Sequence, residues 1–209
     1  MKVISSTILI AIHLALPCIV LAGDPAVIKP VESSPIKIGT LEFSVVSQEE
    51  WQPFNYSGTK WEPNPVRRDE VTVQLRVVNR GEVSVLFPTF DRFTAMLKGP
   101  DGKSTALAGN RDGTTITPSI LLKPGQGYSC CLIARLLEAH DGNKSELIFR
   151  DLTGGSSSTV MTPGVYSLWF QLQPAGDKFS NKGDLTAEVW SATGTTEAVS
   201  FKLLPPQSR

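Results

Sequence analysis

The sequence predicts an all-β protein that folds as an antiparallel, two-sheet β-sandwich of about nine strands. Apolar and polar residues alternate over many short stretches, which is the pattern of strands with one buried face. Glycine and proline separate most of these stretches. Past the N-terminal segment, no stretch shows the apolar period of about 3.6 residues that marks an amphipathic helix.

The chain begins with a segment typical of secretory signal peptides. Lys2 provides a positive start, residues 3–21 are almost wholly apolar, and Ala22 is a small residue suited to cleavage. We therefore expect residues 1–22 to be a signal peptide and the mature protein to be secreted or periplasmic. The alternative is an uncleaved N-terminal membrane anchor, because a bilayer span needs about 20 apolar residues. Pro17 near the end of the stretch favours cleavage.

The mature chain offers little for electrostatic binding. Removal of 22 residues from 209 leaves 187, with 19 of the 20 basic residues against 20 acidic ones. This balance gives no electrostatic basis for binding nucleic acid or an anionic membrane. We expect no nucleic-acid partner, no membrane contact after cleavage, and a protein or glycan partner of unknown identity.

Three segments follow the signal. Residues 23–35 hold three prolines and predict an extended tether. Residues 36–204 suffice for one all-β domain, and we expect a single β-sandwich there. Residues 205–209 begin with two prolines and predict a disordered tail.

The alternation is clearest in residues 71–87. Every second residue of 71–77 is apolar, residues 79–82 have the turn sequence Asn-Arg-Gly-Glu, and the alternation resumes in residues 83–87. We expect a β-hairpin with one buried face. The same alternation predicts strands in six further segments, which are LEFSVV (41–46), RFTAMLK (92–98, before a Pro-Asp-Gly turn), ELIFR (146–150), VYSLWFQL (165–172), LTAEVW (185–190) and AVSFKL (198–203).

Two joints share a Pro-Gly pair ahead of a strand that opens with Tyr-Ser. Pro124-Gly125 lies in LLKPGQGYSC, and Pro163-Gly164 lies in VMTPGVYSLW. Proline fixes φ and glycine permits positive φ, so each pair predicts a tight turn between sheets. Tyr166 is placed like the tyrosine of a tyrosine corner, with a buried ring and a hydroxyl returned to the turn backbone. The alternative is an ordinary aromatic residue that opens a strand.

The segment from Val71 to Leu137 resembles the small immunoglobulin-like domains of secreted bacterial proteins, including uncharacterised planctomycete-type ones. The run VTVQLRVVNRGEVSVLFPTFDRFTAMLKGPDGK and the later SILLKPGQGYS carry this resemblance, which implies an immunoglobulin-like sandwich. The Asn-x-Gly hairpin, the Phe-x-Phe-like segment and the Leu-x-Pro-Gly turn are also similar to the BsuPI-type proteinase-inhibitor domain. The chain departs from that family at AGNRDGTTITPS (108–119), so no inhibitory loop is carried over.

Catalytic and metal-binding chemistry has few candidates. His140 precedes a hairpin-turn sequence at 141–143 and is interpreted as a solvated turn residue, not a general base. Cys130 and Cys131 should project to opposite faces of a strand, which argues against a shared zinc ion. We expect no metal, no cofactor and no enzymatic activity. The alternative is a carboxylate-dependent hydrolase. Its candidate acidic pairs are at 49–50 and 69–70.

The most unusual segment is residues 51–61, which place four aromatic side chains in a connection longer than most hairpin loops. The sequence favours a structural role, in which the rings fold back over strand edges and cover them. The alternative is a ligand-binding loop, because exposed rings stack on sugar or peptide faces. A charged pair flanked by phenylalanines at 90–93 is a second candidate contact. The candidate ligand-binding residues are therefore Trp51, Phe54, Tyr56, Trp61, Asp91 and Arg92.

The adjacent cysteines lie in GYSCCLIARL, residues 127–136. Strand alternation predicts Cys130 on the core face and Cys131 on the outer face. Adjacent Cα atoms are about 3.8 Å apart, whereas disulfides usually span about 4.4–6.8 Å, so a bond between the two is disfavoured. We expect Cys131 to be a partly exposed thiol, unbridged within the chain and able to form an intermolecular disulfide.

These observations favour an exported, non-enzymatic β-sandwich module that binds a protein or an envelope component. The alternative of a carbohydrate- or peptide-binding protein, including a proteinase inhibitor, would use the aromatic loop 51–61. The carboxylate-dependent hydrolase is a further alternative.

Overall fold

The computed structural model describes residues 29–53, 70–88, 93–107, 119–138, 144–150, 156–173 and 187–206. These residues contain no helix and form sixteen strands. The strands are β1 (Pro30–Glu32), β2 (Ile36–Ile38), β3 (Leu41–Gln48), β4 (Glu50–Trp51), β5 (Glu70–Asn79), β6 (Val85–Pro88), β7 (Phe93–Lys98), β8 (Ser104–Leu107), β9 (Ser119–Leu122), β10 (Gly127–Glu138), β11 (Ser145–Arg150), β12 (Ser156–Met161), β13 (Gly164–Leu172), β14 (Glu188–Val189), β15 (Gly194–Thr195) and β16 (Val199–Leu203).

The strands form two large sheets and one small sheet in a sandwich-like arrangement. The seven-stranded sheet has the order β1-β3-β5-β10-β11-β12, and β2 also pairs with β3. The six-stranded sheet has the order β4-β16-β13-β7-β8, and β15 also pairs with β13. The three-stranded sheet has the order β14-β6-β9. The predicted all-β sandwich is confirmed, and several strands of two to four residues account for the larger strand number.

Strict alternation places one face of each large sheet in the core. In β13 the burial pattern alternates along the strand, with Tyr166, Leu168 and Phe170 buried and their neighbours more exposed. The same period appears in β16, where Val199, Phe201 and Leu203 are buried. Because successive strand residues point to opposite faces, these strands supply every second side chain to a shared interior, whereas β3 is buried on both faces over residues 43–47.

The expected hairpin across residues 71–87 is wrong. The chain does turn after Asn79, but β5 pairs with β3 and β10 in the seven-stranded sheet. β6 instead pairs with β9 and β14 in the three-stranded sheet. All four residues of β6 are buried, whereas Val83 ahead of it is exposed. The turn therefore carries the chain from one sheet to another and does not fold it back on β5.

Asn79 explains how this turn is held. Its side-chain nitrogen donates to the carbonyls of Val83 and Leu122, both at 2.8 Å, and its side-chain oxygen accepts from the Gly81 amide at 2.9 Å. The backbone of Asn79 also contacts the turn that follows β9: the Asn79 carbonyl accepts a hydrogen bond from the Gly125 amide at 2.8 Å. One buried residue thus links two turns that lie far apart in sequence.

Trp190 is the centre of an aromatic group in the interior. Trp190 packs at 5.4 Å from Phe43 and at 5.6 Å from Phe87, measured between ring centroids. Its indole nitrogen donates to the Ile38 carbonyl at 3.1 Å, so the polar atom of the buried ring is satisfied. This group joins the seven-stranded sheet to the three-stranded one.

The N-terminal part of the sheet begins earlier than the sequence indicates. Residues 30–32, which the sequence assigns to the tether, form β1 and pair with β3. Ser33 then turns inward, and its hydroxyl accepts from the Val45 amide at 3.0 Å. A proline opens β1, which is tolerated because β1 lies at the edge of its sheet.

The expected signal peptide and membrane anchor lie outside the residues that the structure describes. The described part of the chain holds no apolar helix of membrane-spanning length.

Candidate functional site on the six-stranded sheet

Trp51, the first residue of the predicted aromatic loop, lies in the core. Its side chain is 1% exposed and stacks on Phe201, with ring centroids 3.7 Å apart. The indole nitrogen donates to the Ser47 hydroxyl at 3.1 Å. A ring enclosed in this way has no face left for a ligand, so the assignment of Trp51 as a ligand contact is corrected to a structural role.

The other predicted ligand contacts lie outside the residues that the structure describes. This applies to Phe54, Tyr56 and Trp61 of the loop and to the pair Asp91 and Arg92. His140, interpreted as a solvated turn residue, also lies outside the described residues. Of the acidic pairs, Glu49 and Glu50 are both exposed at the surface, and Glu49 pairs with Lys29 at 3.1 Å. No group of three or more histidine, cysteine, aspartate or glutamate side chains among the described residues could hold a metal ion.

Tyr166 adopts the geometry of a tyrosine corner. Its ring is buried and lies parallel to Phe201 at 5.6 Å. Its hydroxyl donates to the Thr162 carbonyl at 2.8 Å and accepts from the Thr162 amide at 3.0 Å. The hydroxyl thereby satisfies both backbone groups of the residue that precedes Pro163, at the point where the chain passes from the seven-stranded to the six-stranded sheet.

The two Pro-Gly joints differ in their backbone. At the first, the Gln126 amide donates to the Lys123 carbonyl at 2.9 Å, and Gly125 has a φ of 77°. This is a type II turn, with Pro124 in the second position and glycine in the third. At the second, Gly164 has a φ of 154° and opens β13. Both joints connect strands of different sheets.

The adjacent cysteines point to opposite faces of β10. Cys130 is buried opposite Leu75, whereas Cys131 is partly exposed and lies opposite Gln74. Both are reduced. Burial raises the pKa of the Cys130 thiol to about 12, and the nearby Cys131 adds to the rise. Cys130 is therefore a protonated core side chain. The intermolecular disulfide through Cys131 stays a prediction.

The outer face of the six-stranded sheet carries a partly exposed tryptophan. In β13 the buried residues point inward, which places Trp169 on the outer face. Its register partner in β7 is Met96, and the partner of Met96 in β8 is Ala106. Trp169 and Met96 are partly exposed, and Ala106 is exposed. These three residues form an apolar row across three strands, which we call the tryptophan stripe.

Rows of polar side chains flank the stripe on both sides. Each row follows from the same register, because residues two positions along a strand share a face. On one side are Ser104, Lys98, Ser167 and Ser200. On the other side are Thr94, Gln171 and Thr195. All seven are at least partly exposed, so an apolar row lies between two rows of hydrogen-bonding groups.

The charges near the stripe differ from those elsewhere on the sandwich. On the seven-stranded sheet, Arg76 pairs with Glu32 at 2.9 Å and Arg80 pairs with Glu42 at 3.1 Å. The exposed ammonium group of Lys98 makes no ion pair within the described residues, and its register partners are serines. The stripe therefore has, on one flank, a cation that no described residue neutralises.

A cleft of about 370 Å³ lies between β12 and the β7–β8 hairpin, on the side of the six-stranded sheet opposite to the stripe. β12 and β8 are the last strands of their sheets on this side of the sandwich. The cleft is lined by apolar, hydroxyl and charged side chains, including Leu97, Met161, Thr105, Thr159, Lys103 and Tyr166. The Tyr166 hydroxyl is already hydrogen-bonded to both backbone groups of Thr162, so it has a structural role in the cleft.

Sequence alternation contained a signal for Trp169 that the prediction did not use. In VYSLWFQL, the residues Tyr166, Leu168 and Phe170 form one set, and Trp169 falls in the other set with Ser167 and Gln171. A tryptophan that shares a strand face with serine and glutamine belongs to the solvent face. The predicted binding loop instead rested on the aromatic composition of residues 51–61, and not on which face of a strand each residue occupies.

Comparison with protein-family models gives no match for this chain. Comparison with curated proteins finds no similar sequence. The assignment of a function therefore depends on the geometry of the surface.

Proposed function

We propose that the protein is an exported, non-enzymatic β-sandwich module that binds a protein or an envelope component through the tryptophan stripe. The observation that carries this proposal is the position of Trp169. Large aromatic side chains on a sheet face are anchors for binding, because they bury much area at little conformational cost. Trp169 lies near Ser167, Gln171 and Thr94 on the same face. Their side chains are polar and smaller than the indole ring, so they do not cover it.

Export is supported by the composition of the first 22 residues, which have a positive start, an apolar segment and a small residue at the expected cleavage point. An exported module meets the cell envelope and other exported proteins, so these are the partners that the proposal names. Expression of the full chain followed by mass measurement of the exported protein would test cleavage. The mature protein should start at Gly23.

The test of binding is cosedimentation of the mature protein with isolated cell envelopes. Trp169→Ala should lower the bound fraction by about tenfold, as expected for loss of an anchor ring. Val165→Ala is the matched control, because Val165 is an exposed apolar residue on the same strand and the same face. Val165→Ala should bind like the wild type. Equal binding by wild type and Trp169→Ala would contradict the proposal.

A further inference from the structure

We infer that the ligand of the tryptophan stripe is a linear glycan that carries carboxylate groups. This inference rests on the proposed function, because it assigns a ligand class to the same surface. The observations are the shape of the apolar row, the chemistry of its flanks and the charge at Lys98.

The apolar part of the surface is smaller than the apolar centre of a typical stable protein interface. The stripe crosses three adjacent strands, and strands are about 4.8 Å apart, so it is about 10 Å long and one residue wide. A stable protein interface needs about 800 Å² on each partner with an apolar centre. A narrow apolar row fits a linear ligand that lies across the strands.

The flanking rows fit the hydroxyl groups of a sugar chain. Serine and threonine hydroxyls and the glutamine amide both donate and accept hydrogen bonds, and so do sugar hydroxyls. They lie on both sides of the row, where the edges of a chain placed along the stripe would meet them. The residues are Ser104, Ser167 and Ser200 on one flank and Thr94, Gln171 and Thr195 on the other. The ring of Trp169 is left to stack on the apolar face of a pyranose.

Lys98 selects for a carboxylate. Its side chain is exposed, it makes no ion pair among the described residues, and it lies two positions from Met96 along β7. A carboxylate on a sugar bound along the stripe would be within reach of the ammonium group. Lys202 adds a second exposed cation on the same face, although its register partner is Glu50. The face therefore favours an acidic glycan over a neutral one.

The first experiment measures binding of three linear uronate polysaccharides, namely polygalacturonate, alginate and hyaluronate, by calorimetry at low salt. At least one should bind, and its carboxyl-reduced form should bind more weakly. Trp169→Ala should lower affinity about tenfold for both forms. Lys98→Gln should lower affinity by about threefold or more for the carboxylated form only. Val165→Ala should have no effect. Urea unfolding curves verify that each variant is folded.

The second experiment separates failure of this inference from failure of the proposed function. Cell envelopes are treated with periodate or with proteinase K before the cosedimentation assay. Periodate should abolish the binding that depends on Trp169, and proteinase K should leave it intact. If proteinase K abolishes it, the partner is a protein and the glycan inference is overturned, while the proposed function stands. Absence of binding to all three polysaccharides would also overturn the inference.

Discussion

Asn79 is the polar side chain on which the core depends most directly. It is fully buried, and it makes three side-chain hydrogen bonds within two turns. Asn79→Ala leaves two carbonyls and one amide without these partners, and unsatisfied buried groups are costly. We expect the free energy of unfolding to fall by about 2–4 kcal/mol, measured by urea denaturation.

Two further variants make this test specific. Asn79→Asp retains an acceptor for the Gly81 amide but loses both donations, so it should be at least as destabilising at neutral pH. Gln74→Ala, on the outer face of the same strand, should change the free energy by less than about 0.5 kcal/mol. Equal effects of Asn79→Ala and Gln74→Ala would refute the role of Asn79.

The Tyr166 hydroxyl gives a second prediction. Tyr166→Phe retains the ring beside Phe201 but removes both hydrogen bonds to Thr162. The free energy of unfolding should fall by about 1–3 kcal/mol. Tyr128→Phe is the matched control, since Tyr128 follows the other Pro-Gly joint and no hydrogen bond of its hydroxyl is seen within the described residues. Its effect should be below about 0.5 kcal/mol.

Because the Cys130 thiol is buried, we expect the free energy of unfolding to fall at alkaline pH. Its folded pKa, about 12, exceeds the ordinary value of 9.0 because burial disfavours the thiolate. Above that ordinary value the unfolded chain releases the thiol proton and the folded chain retains it. The stabilising contribution is therefore complete below pH 9 and declines as the pH rises towards 12.

The measurement is the free energy of unfolding of wild type and Cys130→Ala between about pH 8 and about pH 10.5. The difference between the two proteins should shrink as the pH rises, because only the wild type has the buried thiol. Other groups that titrate in this range are common to both proteins, and Tyr128 is one whose pKa depends in part on Cys130. Parallel curves across the range would show that Cys130 does not titrate in this way.

At the scale of single residues, the sequence predicted hydrogen bonds and strand faces more accurately than it predicted which aromatic side chains are exposed. The hydroxyl bonding of Tyr166 and the opposite faces of Cys130 and Cys131 follow from local rules of turns and strands. Trp51 would be exposed if residues 51–61 were a ligand-binding loop, but it is buried. Its burial depends on Phe201, which lies 150 positions away in the chain and which no local pattern connects to it.

At the scale of strands, alternation located the elements and failed to identify their partners. β3, β11, β13 and β16 all contain segments that alternation predicts. The hairpin of β7 and β8 was also predictable, because the Pro-Asp-Gly turn between them is short. β5 and β6 were expected to pair on the same reasoning. A turn sequence reports that the chain changes direction, but the sheet that receives the next strand is set by long-range packing.

The two glycines of the Pro-Gly joints should respond differently to substitution. Gly125 has a positive φ, but a Cβ there would meet nothing within 4 Å, so only the backbone conformation opposes Gly125→Ala. We expect it to lower the free energy of unfolding by about 1–2 kcal/mol. At Gly164 a Cβ would lie 3.0 Å from the Pro100 ring, in addition to an unfavourable φ.

Gly164→Ala should therefore cost about 3 kcal/mol or more, measured by urea denaturation beside Gly125→Ala. The double substitution Gly164→Ala with Pro100→Ala removes the close contact and should recover part of this loss. If Gly125→Ala is the more harmful of the two single changes, the second joint is not constrained by Pro100.

At the scale of the whole molecule, one interior joins the three sheets. A single cluster of buried residues includes Phe43 of the seven-stranded sheet, Phe201 of the six-stranded sheet and Phe87 of the three-stranded sheet. We therefore expect one cooperative unfolding transition. Tryptophan fluorescence and far-ultraviolet circular dichroism should give the same urea midpoint, and separate midpoints would show that a sheet unfolds independently.

The sandwich as a whole was predictable, but its third sheet was not. The number and spacing of short alternating segments indicate two packed sheets. The three-stranded sheet includes a parallel pair, β14 with β6, formed by segments about 100 residues apart. β4 and β16 make a second parallel pair. Parallel strands are not joined by a short turn, so the sequence near either strand does not indicate which strand it pairs with.

The position of β16 has a consequence for the order in which the protein can be assembled. It is the last of the described strands along the chain, yet it lies inside the six-stranded sheet, between β4 and β13. A growing chain emerges from its N-terminus, so both β4 and β13 are made before the strand that joins them. The six-stranded sheet is completed only when residues 199–203 have been made. A chain cut before residue 199 would therefore lack the strand that pairs with both β4 and β13, and the six-stranded sheet would be interrupted between them.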